Sequence, residues 1–341
     1  MKRHWKYSAG LIGSMLFLLT ACGEVENTGE RDGGEEANGE QPDVETAVET
    51  DDEEAPTIGM TVINQEALFF TEMVKGAESQ AEEMDVNLTV FNANNDSVEQ
   101  YNGAEDYISA GVDALVINAI DVEAMKPIVD KAEEEDIPVI SIDSVIEHEG
   151  VDVQIGVDNY ESSVELGEYF NEYAEEQWGD EEVKIGAISA LNSPIQINRQ
   201  DGFMDTILEN ENVELVNTVD GENVQEKALS ASEDLFTANP DMQAAFATGE
   251  PAFIGMVSGV RSQQAQDNLK LFGWDLSEQV VEGIDDGYVE AALQQHPDEY
   301  GSEAIKAALA LVEGEEVEEQ IDVPATVVTE DNVDEFRSLF E

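Results

Sequence analysis

The 341-residue chain has one cysteine, three histidines and only 14 lysines plus arginines. A single thiol excludes an internal disulfide, so the folded body must stand on its core alone. The histidines, His4, His148 and His296, are isolated in the sequence. No HExxH, CxxC or clustered ligand set suggests a metal, and no other cofactor is implied. No serine sits in a GxSxG elbow. No GxGxxG follows the first strand and there is no Walker lysine, so nucleotide chemistry has no support. Basic residues face 79 acids, for a formal net charge of −65. Phosphate binding needs a basic surface, which excludes nucleic acid as a partner. Such acidity suits a cationic partner or, better, high salt, where screening weakens self-repulsion. The second reading implies a halophilic bacterium.

The one thiol, Cys22, follows a distinctive start. Met1 to Tyr7 carries Lys2, Arg3 and Lys6, and Ser8 to Ala21 (SAGLIGSMLFLLTA) carries no charge. These 14 residues fall short of the roughly 20 that span hydrocarbon. A basic start, an apolar run and small residues at its end predict a signal peptide over 1–21. Leu19-Thr20-Ala21-Cys22 resembles the lipobox of bacterial lipoproteins, which implies a lipid on Cys22 and cleavage before it. Plain secretion, a retained helix or a buried core cysteine are the alternatives. Residues 23–55 hold 14 acids against Arg31 alone and no aromatic residue. They cannot bury enough apolar surface to offset ordering entropy, and like charges extend them. Residues 22–55 therefore read as a disordered acidic tether.

The 79 acids less the tether's 14 leave 65 for residues 56–341, against 10 basic residues. At 286 residues this body suffices for a large core or two domains. Short β-branched runs, TIGMTVI, NLTVFNA, ALVINAI and IPVISID, alternate with stretches of helical period. Between the first two, Phe69, Met73, Ala77, Ala81 and Met84 form one apolar face. The alternation resumes with KIGAIS, ELVNTV, AAFAT and LKLFGWD. Near-continuous apolar strands between amphipathic helices predict parallel sheets covered on both faces. The fold class is α/β, two doubly wound lobes. VQIGVDNY, VEAALQQ and IDVPATVV are the candidate crossings, and several short crossings make a hinge.

The stretch TIGMTVINQEALFFTEMVKGAE resembles the opening of ribose-type periplasmic sugar-binding proteins. So do GVDALVINAIDVEAMKPIVDKAEEEDIPVISID, NRQDGF, TANPDMQAAFATGE, LFGWD and ALQQHPDEYG, in family order from about Thr57 to Val328. The resemblance implies a type I periplasmic binding protein, the solute-binding subunit of an ABC importer closing on a monosaccharide or polyol. It implies an N-terminal lobe of 56–157 plus 296–323 and a C-terminal lobe of 158–295 plus 324–341. The expected partners are the permease and, through lipid alone, the outer face of the cytoplasmic membrane; the protein is expected to be a monomer. A second class is sensory: a receptor reporting a sugar or a furanone signal to a membrane kinase. Neighbouring genes separate the two. Sugar-responsive repressors of this fold need a basic helix-turn-helix where this chain has a signal and tether.

Ligands of open α/β sheets lie beyond the carboxyl ends of strands. Phe69 and Phe70 follow the first strand, and their rings suit the apolar faces of a sugar; they equally suit a core. Asp143 ends IPVISID and Asp275 ends LKLFGWD; each carboxylate can accept hydroxyl hydrogen bonds, or simply cap a turn. Both match sugar-binding aspartates of the family. Trp274 alternates with Asp275 and is expected to point into packing. Arg199, in NRQDGF, offers a guanidinium fork that offsets buried carboxylates and matches the family's arginine, with a surface ion pair as the alternative. Gln295 matches a family amide beside the hinge. The chain departs from the family at Ser144, where an arginine is expected, and near Glu66 or Ala67, where an asparagine is expected. Gly249-Glu250 replaces another asparagine, and Asn223 an aromatic. These departures argue against ribose itself. Gln65, Glu66, Asn223 and Glu250 are candidates for reading a different hydroxyl pattern, though exposed polar residues need no ligand. Asp143 and Asp275 would suit a glycosidase only at about 5 to 9.5 Å separation; no enzyme is expected.

Overall fold

The computed structural model describes residues 55–340; the signal, Cys22 and the tether up to residue 54 lie outside them. The first half of the body runs β1 (Thr57–Val62), α1 (Leu68–Glu83), β2 (Asn87–Asn92), α2 (Ser97–Ala110), β3 (Ala114–Ile117), α3 (Val122–Glu134), β4 (Val139–Ile142) and β5 (Val153–Gly156). The second runs α4 (Asn159–Gln177), β6 (Val183–Ser189), α5 (Pro194–Ile207), β7 (Val213–Asp220), α6 (Gln225–Ala238), β8 (Ala244–Ala247), α7 (Glu250–Gln263), β9 (Lys270–Trp274), α8 (Glu278–Asp285) and β10 (Val289–Gln294). Then come α9 (Pro297–Val312), β11 (Gln320–Asp322), β12 (Thr326–Val328) and two short 3₁₀ turns, Val333–Glu335 and Arg337–Phe340.

The strands form two sheets, in the orders β11-β5-β4-β3-β1-β2 and β12-β10-β9-β8-β6-β7. Pairing is parallel except between β10 and β12. The central strands β3 (ALVI) and β8 (AAFA) are apolar throughout because both faces are covered. In β3, Ala114 and Val116 join a core with α1 and α9. Leu115 and Ile117, pointing the other way, join one with Met125, Ile128 and Val129 of α3. The second sheet likewise has a core on each face. Two doubly wound α/β lobes result.

Helix starts are set by local chemistry. The Asp96, Asp121 and Asp158 side chains each accept two backbone N–H bonds at the first turns of α2, α3 and α4. Each such cap stabilises its helix by about 1 kcal/mol. On α1 the predicted face buries Met73, Ala77 and Ala81. Phe69, one turn earlier, stays partly exposed at the helix end nearest the cleft.

The chain passes between the sheets after β5, after β10 and between β11 and β12. After β10 the chain enters α9, whose Tyr300, Ala304 and Ala308 pack with α1 in the first lobe's core. β11 pairs with β5 and β12 with β10, so the last crossing is the turn through Pro324. No helix among the described residues is long and apolar enough to cross a membrane.

Candidate functional site

A cavity of about 540 Å³ opens between the carboxyl ends of the two sheets. Small-molecule sites span about 300–1,000 Å³. Phe69, Phe70 and Asp143 line it from the first lobe; Arg199, Asn223, Glu250, Asp275 and Gln295 line it from the second lobe and the crossing after β10. A more open groove of about 710 Å³ beside α4 and β7 has no aromatic or cationic lining residue.

The two aspartates share one construction. Asp143 follows β4 with φ 62°, and Asp275 follows β9 with φ 64°. Aspartate tolerates this left-handed backbone better than most residues. The Asp143 N–H donates to the Ile155 carbonyl at 2.8 Å, and the Asp275 N–H to the Leu293 carbonyl at 2.7 Å. Each bond ties the turn to the neighbouring strand, β5 or β10.

Around Asp275 the site is a packed polar network. Its Oδ1 accepts from Gln295 Nε2 at 2.8 Å, and its Oδ2 lies 3.6 Å from Arg199 Nη1. Gln295 Oε1 accepts in turn from the Tyr300 hydroxyl at 3.1 Å. Arg199 donates through Nε to Asn159 Oδ1 at 2.7 Å and through Nη1 to the Thr248 carbonyl at 3.2 Å. Its guanidinium lies 3.8 Å over the Trp274 ring. Trp274 points into packing as its alternation predicts, fully buried, and donates its indole N–H to Ser163 Oγ at 3.0 Å. It is also the floor that carries the arginine.

The glycine of NRQDGF makes this possible. A Cβ on Gly202 would stand 2.2 Å from the Tyr160 carbonyl oxygen, so α5 presses directly on the start of α4. That approach brings Asn159, the first residue of α4, against Arg199.

Asp143 has a sparser setting: Asn118 Nδ2 donates to its Oδ2 at 3.1 Å. Burial pushes its carboxyl up to about 6, Asp275 adds to the rise, and Asn118 and Arg199 oppose it. Burial also raises Asp275, held back by Arg199 and Gln295. Glu250 is exposed as a residue, but packing of its carboxyl against the cleft wall and the charge of Asp275 push it up to about 7. Burial lowers Arg199 against the pull of Asp275 and Asp143. Phe69 and Phe70 meet edge to face, centroids 5.3 Å apart, and Phe69 meets Tyr300 at 5.9 Å.

Of the ten candidates, Gln65 and Glu66 do not line the cavity. Asn64 Oδ1 accepts the N–H groups of Glu66 and Ala67 at 2.9 and 3.0 Å, and the turn leaves both side chains exposed. Sequence reasoning missed Asn118, Gln196 and Tyr300. Asn118 had a signal, a polar residue closing an apolar run. It also missed the C-terminal turns, whose Phe336 and Leu339 line the cavity and whose Arg337 holds Asp285 at 2.7 Å. Among the described residues no cluster of three or more acidic, histidine or cysteine side chains is placed to hold a metal.

A family model described as a periplasmic binding protein domain matches residues 58–316. The ribose import binding protein RbsB of Bacillus subtilis is 26% identical over 316 residues, 92% of this chain and 96% of that protein. The D-ribose/D-allose-binding protein of Pseudomonas aeruginosa is 28% identical over 298 residues, 83% of this chain and 92% of that one. An ABC transporter solute-binding protein from Agrobacterium vitis, solved with bound D-fucose, superimposes with a TM-score of 0.70 at 26% identity, covering 84% of this chain and all of that one. The arabinose-binding protein AraP of Geobacillus stearothermophilus shares the fold, with a TM-score of 0.75 at 24% identity over 83% of this chain and 99% of that one. With the match running over residues 58–316, most of the chain, the chain belongs to the periplasmic binding protein domain family.

Proposed function

We propose that this protein is the solute-binding subunit of an ABC importer, taking a monosaccharide or polyol into the cleft and delivering it to a permease. One observation carries the reading: the strand ends of both lobes converge on a single cavity with aromatic rings on one side and a carboxylate–guanidinium–amide network on the other. Rings cover the apolar face of a sugar while carboxylates and the guanidinium fork exchange hydrogen bonds with its hydroxyls. Phe69, Phe70, Asp143, Arg199, Asp275 and Gln295 are its ligand contacts, with Asn223 and Glu250 beside them. Closure follows if the ligand touches both lobes, since only differential affinity for the closed form shifts the equilibrium. The lobes divide as 56–157 plus 296–323 and 158–295 plus 324–341. The protein acts as a monomer and without catalysis.

A thermal-shift screen of pentoses, hexoses and polyols at high salt tests the reading, because a ligand of the folded state raises the midpoint. Calorimetry on Asp143→Ala and Arg199→Ala then tests the site; unchanged affinity in either folded variant rejects it. The lipobox resemblance supports a lipidated Cys22 as first residue at the outer face of the cytoplasmic membrane, and the acidity of residues 22–55 supports a halophile's tether. Mass spectrometry of the native protein checks that anchor.

A further inference from the structure

The C-terminal-lobe corner of the cleft holds two buried amide oxygens without hydrogen-bond partners, beside a carboxylate. Gln196, on the first turn of α5, is 6% exposed, and its Oε1 has no hydrogen-bond partner. The Oδ1 of Asn223 is buried and also without a partner. The two amides meet over Gly249: a Cβ there would stand 2.8 Å from Asn223 Oδ1, 3.0 Å from Gln196 Nε2 and 3.1 Å from Gln196 Oε1. The absence of a side chain at 249 leaves them facing the cavity, which both line. Glu250 follows immediately, an exposed residue whose side chain lines the same cavity.

Charge points the same way. Asp143, Glu250 and Asp275 line the cavity with Glu72, Asp298 and Glu335, while Arg199 is its one arginine and no lysine lines it. The guanidinium is committed to Asp275, Asn159 and the Thr248 carbonyl. Asp143 has the Asn118 amide. Glu250 faces the charge of Asp275 with no cation of its own, and although the residue is exposed at the cleft mouth, packing of its carboxyl against the wall raises it and the charge of Asp275 adds to the rise. A sugar hydroxyl donates one hydrogen bond, whereas an ammonium donates three and brings the missing charge.

We infer that Gln196, Asn223 and Glu250 seat an ammonium group, so that the ligand is an amino-substituted sugar or cyclitol. The inference rests on the sugar-binding reading and narrows its ligand class. The two carboxyls nearest the seat would be held ionised by the bound cation, while the hydroxyls of the same ligand meet Asp143 and Arg199.

Calorimetry on the full chain at neutral pH, with matched pairs, tests this. The probes are D-glucosamine, D-galactosamine and D-mannosamine against D-glucose, D-galactose and D-mannose, with the N-acetyl derivatives as uncharged controls. At least one amine is expected to bind about tenfold or more tighter than its neutral parent, a difference of about 1.4 kcal/mol. Acetylation should abolish that advantage, and Glu250→Gln should bring the amine-to-parent ratio to about one. Neutral parents binding as tightly as the amines would overturn the ammonium seat and leave the sugar site standing. An amine preference that survives Glu250→Gln would also overturn it. If no amine binds while neutral pentoses, hexoses or polyols do, the seat alone falls; if nothing binds, the sugar reading falls with it.

Discussion

Asp143 and Asp275 stand at equivalent places in the two lobes and keep different company. Both leave a central strand in the same left-handed turn, and both turns are tied by an N–H to the next strand. Asp275 then joins Arg199, Gln295 and Tyr300 in a network floored by Trp274. Asp143 has one amide, from Asn118, and no cation within ion-pair distance among the described residues. One lobe thus holds a compensated carboxylate fixed before any ligand arrives. The other holds a buried carboxylate whose charge is satisfied only when hydroxyl donors come to it. The same backbone device serves a rigid half and a responsive half.

Removing the guanidinium should break this comparison most severely. In Arg199→Ala, Asp275 loses its cation and Trp274 its cover. Breaking a buried pair costs about 3 to 5 kcal/mol; Asp275 keeps 18% side-chain exposure, which puts the expected loss near about 3 kcal/mol. Denaturant titration reads that loss, and calorimetry should show affinity falling by more than about a hundredfold, since a charged hydrogen-bonding group is gone. Gly202→Ala attacks the same half from behind. The added methyl would meet the Tyr160 carbonyl at 2.2 Å, so α4 and α5 must separate. Overpacking of this kind costs about 1 to 3 kcal/mol, and the Asn159–Arg199 bond should loosen with it. A crystal structure of the variant showing that bond at 2.7 Å would refute the coupling.

Asp143→Asn should behave oppositely. No cation is orphaned and a costly buried charge disappears, so denaturant stability should hold or rise. Ligand affinity should still drop by about ten- to a hundredfold, the worth of a charged hydrogen bond. The pH dependence follows from the same carboxyl. Its value in the folded protein lies above its ordinary one, at about 6 against 3.8, so the folded state holds the proton more tightly. That contribution to stability is present at low pH and lost as pH rises from 3.8 to about 6. Ligand hydroxyls favour the ionised form, so affinity should rise across the same window as binding releases the proton. The difference in thermal midpoint between wild type and Asp143→Asn, followed against pH, checks the sign; a difference that does not change across this window would refute it.

The contrast between the lobes was only half legible in the sequence. Strand-end placement of Asp143 and Asp275 follows from β-branched runs that stop at a polar residue, and the two-lobe alternation follows from the same runs. Arg199 stands out because basic residues are so few. What joins them is long-range: Asn159 and Gln295 reach the network from α4 and from the crossing after β10, far away in sequence. That Trp274 also forms the floor under Arg199 was not legible, for a related reason. Alternation gives the face on which Trp274 lies, while its contact with a helix from another unit depends on packing. The C-terminal turns had no signal at all, since Val333–Phe340 carries neither periodicity nor a motif and is held at the cleft by long-range contacts, the packing of Val333 and Phe336 on the second lobe's core and the Arg337–Asp285 pair.

Gln65 and Glu66 supply the smallest expected effect. Both sit beside Asn64, whose side chain takes the N–H groups of Glu66 and Ala67 and so shapes the loop leading to Phe69. The structure of that loop depends on residue 64 and on two backbone amides, which substitution at 65 or 66 leaves in place. Surface changes of this kind stay within about 0.5 kcal/mol, so the double variant Gln65→Ala, Glu66→Ala should keep its ligand affinity within about twofold. Asn64→Ala, which releases the same loop, should weaken it more by freeing Phe69 and Phe70. If calorimetry ranked the two variants the other way, the exposed side chains would be reading the ligand and the first lobe would be less sparse than its aspartate suggests.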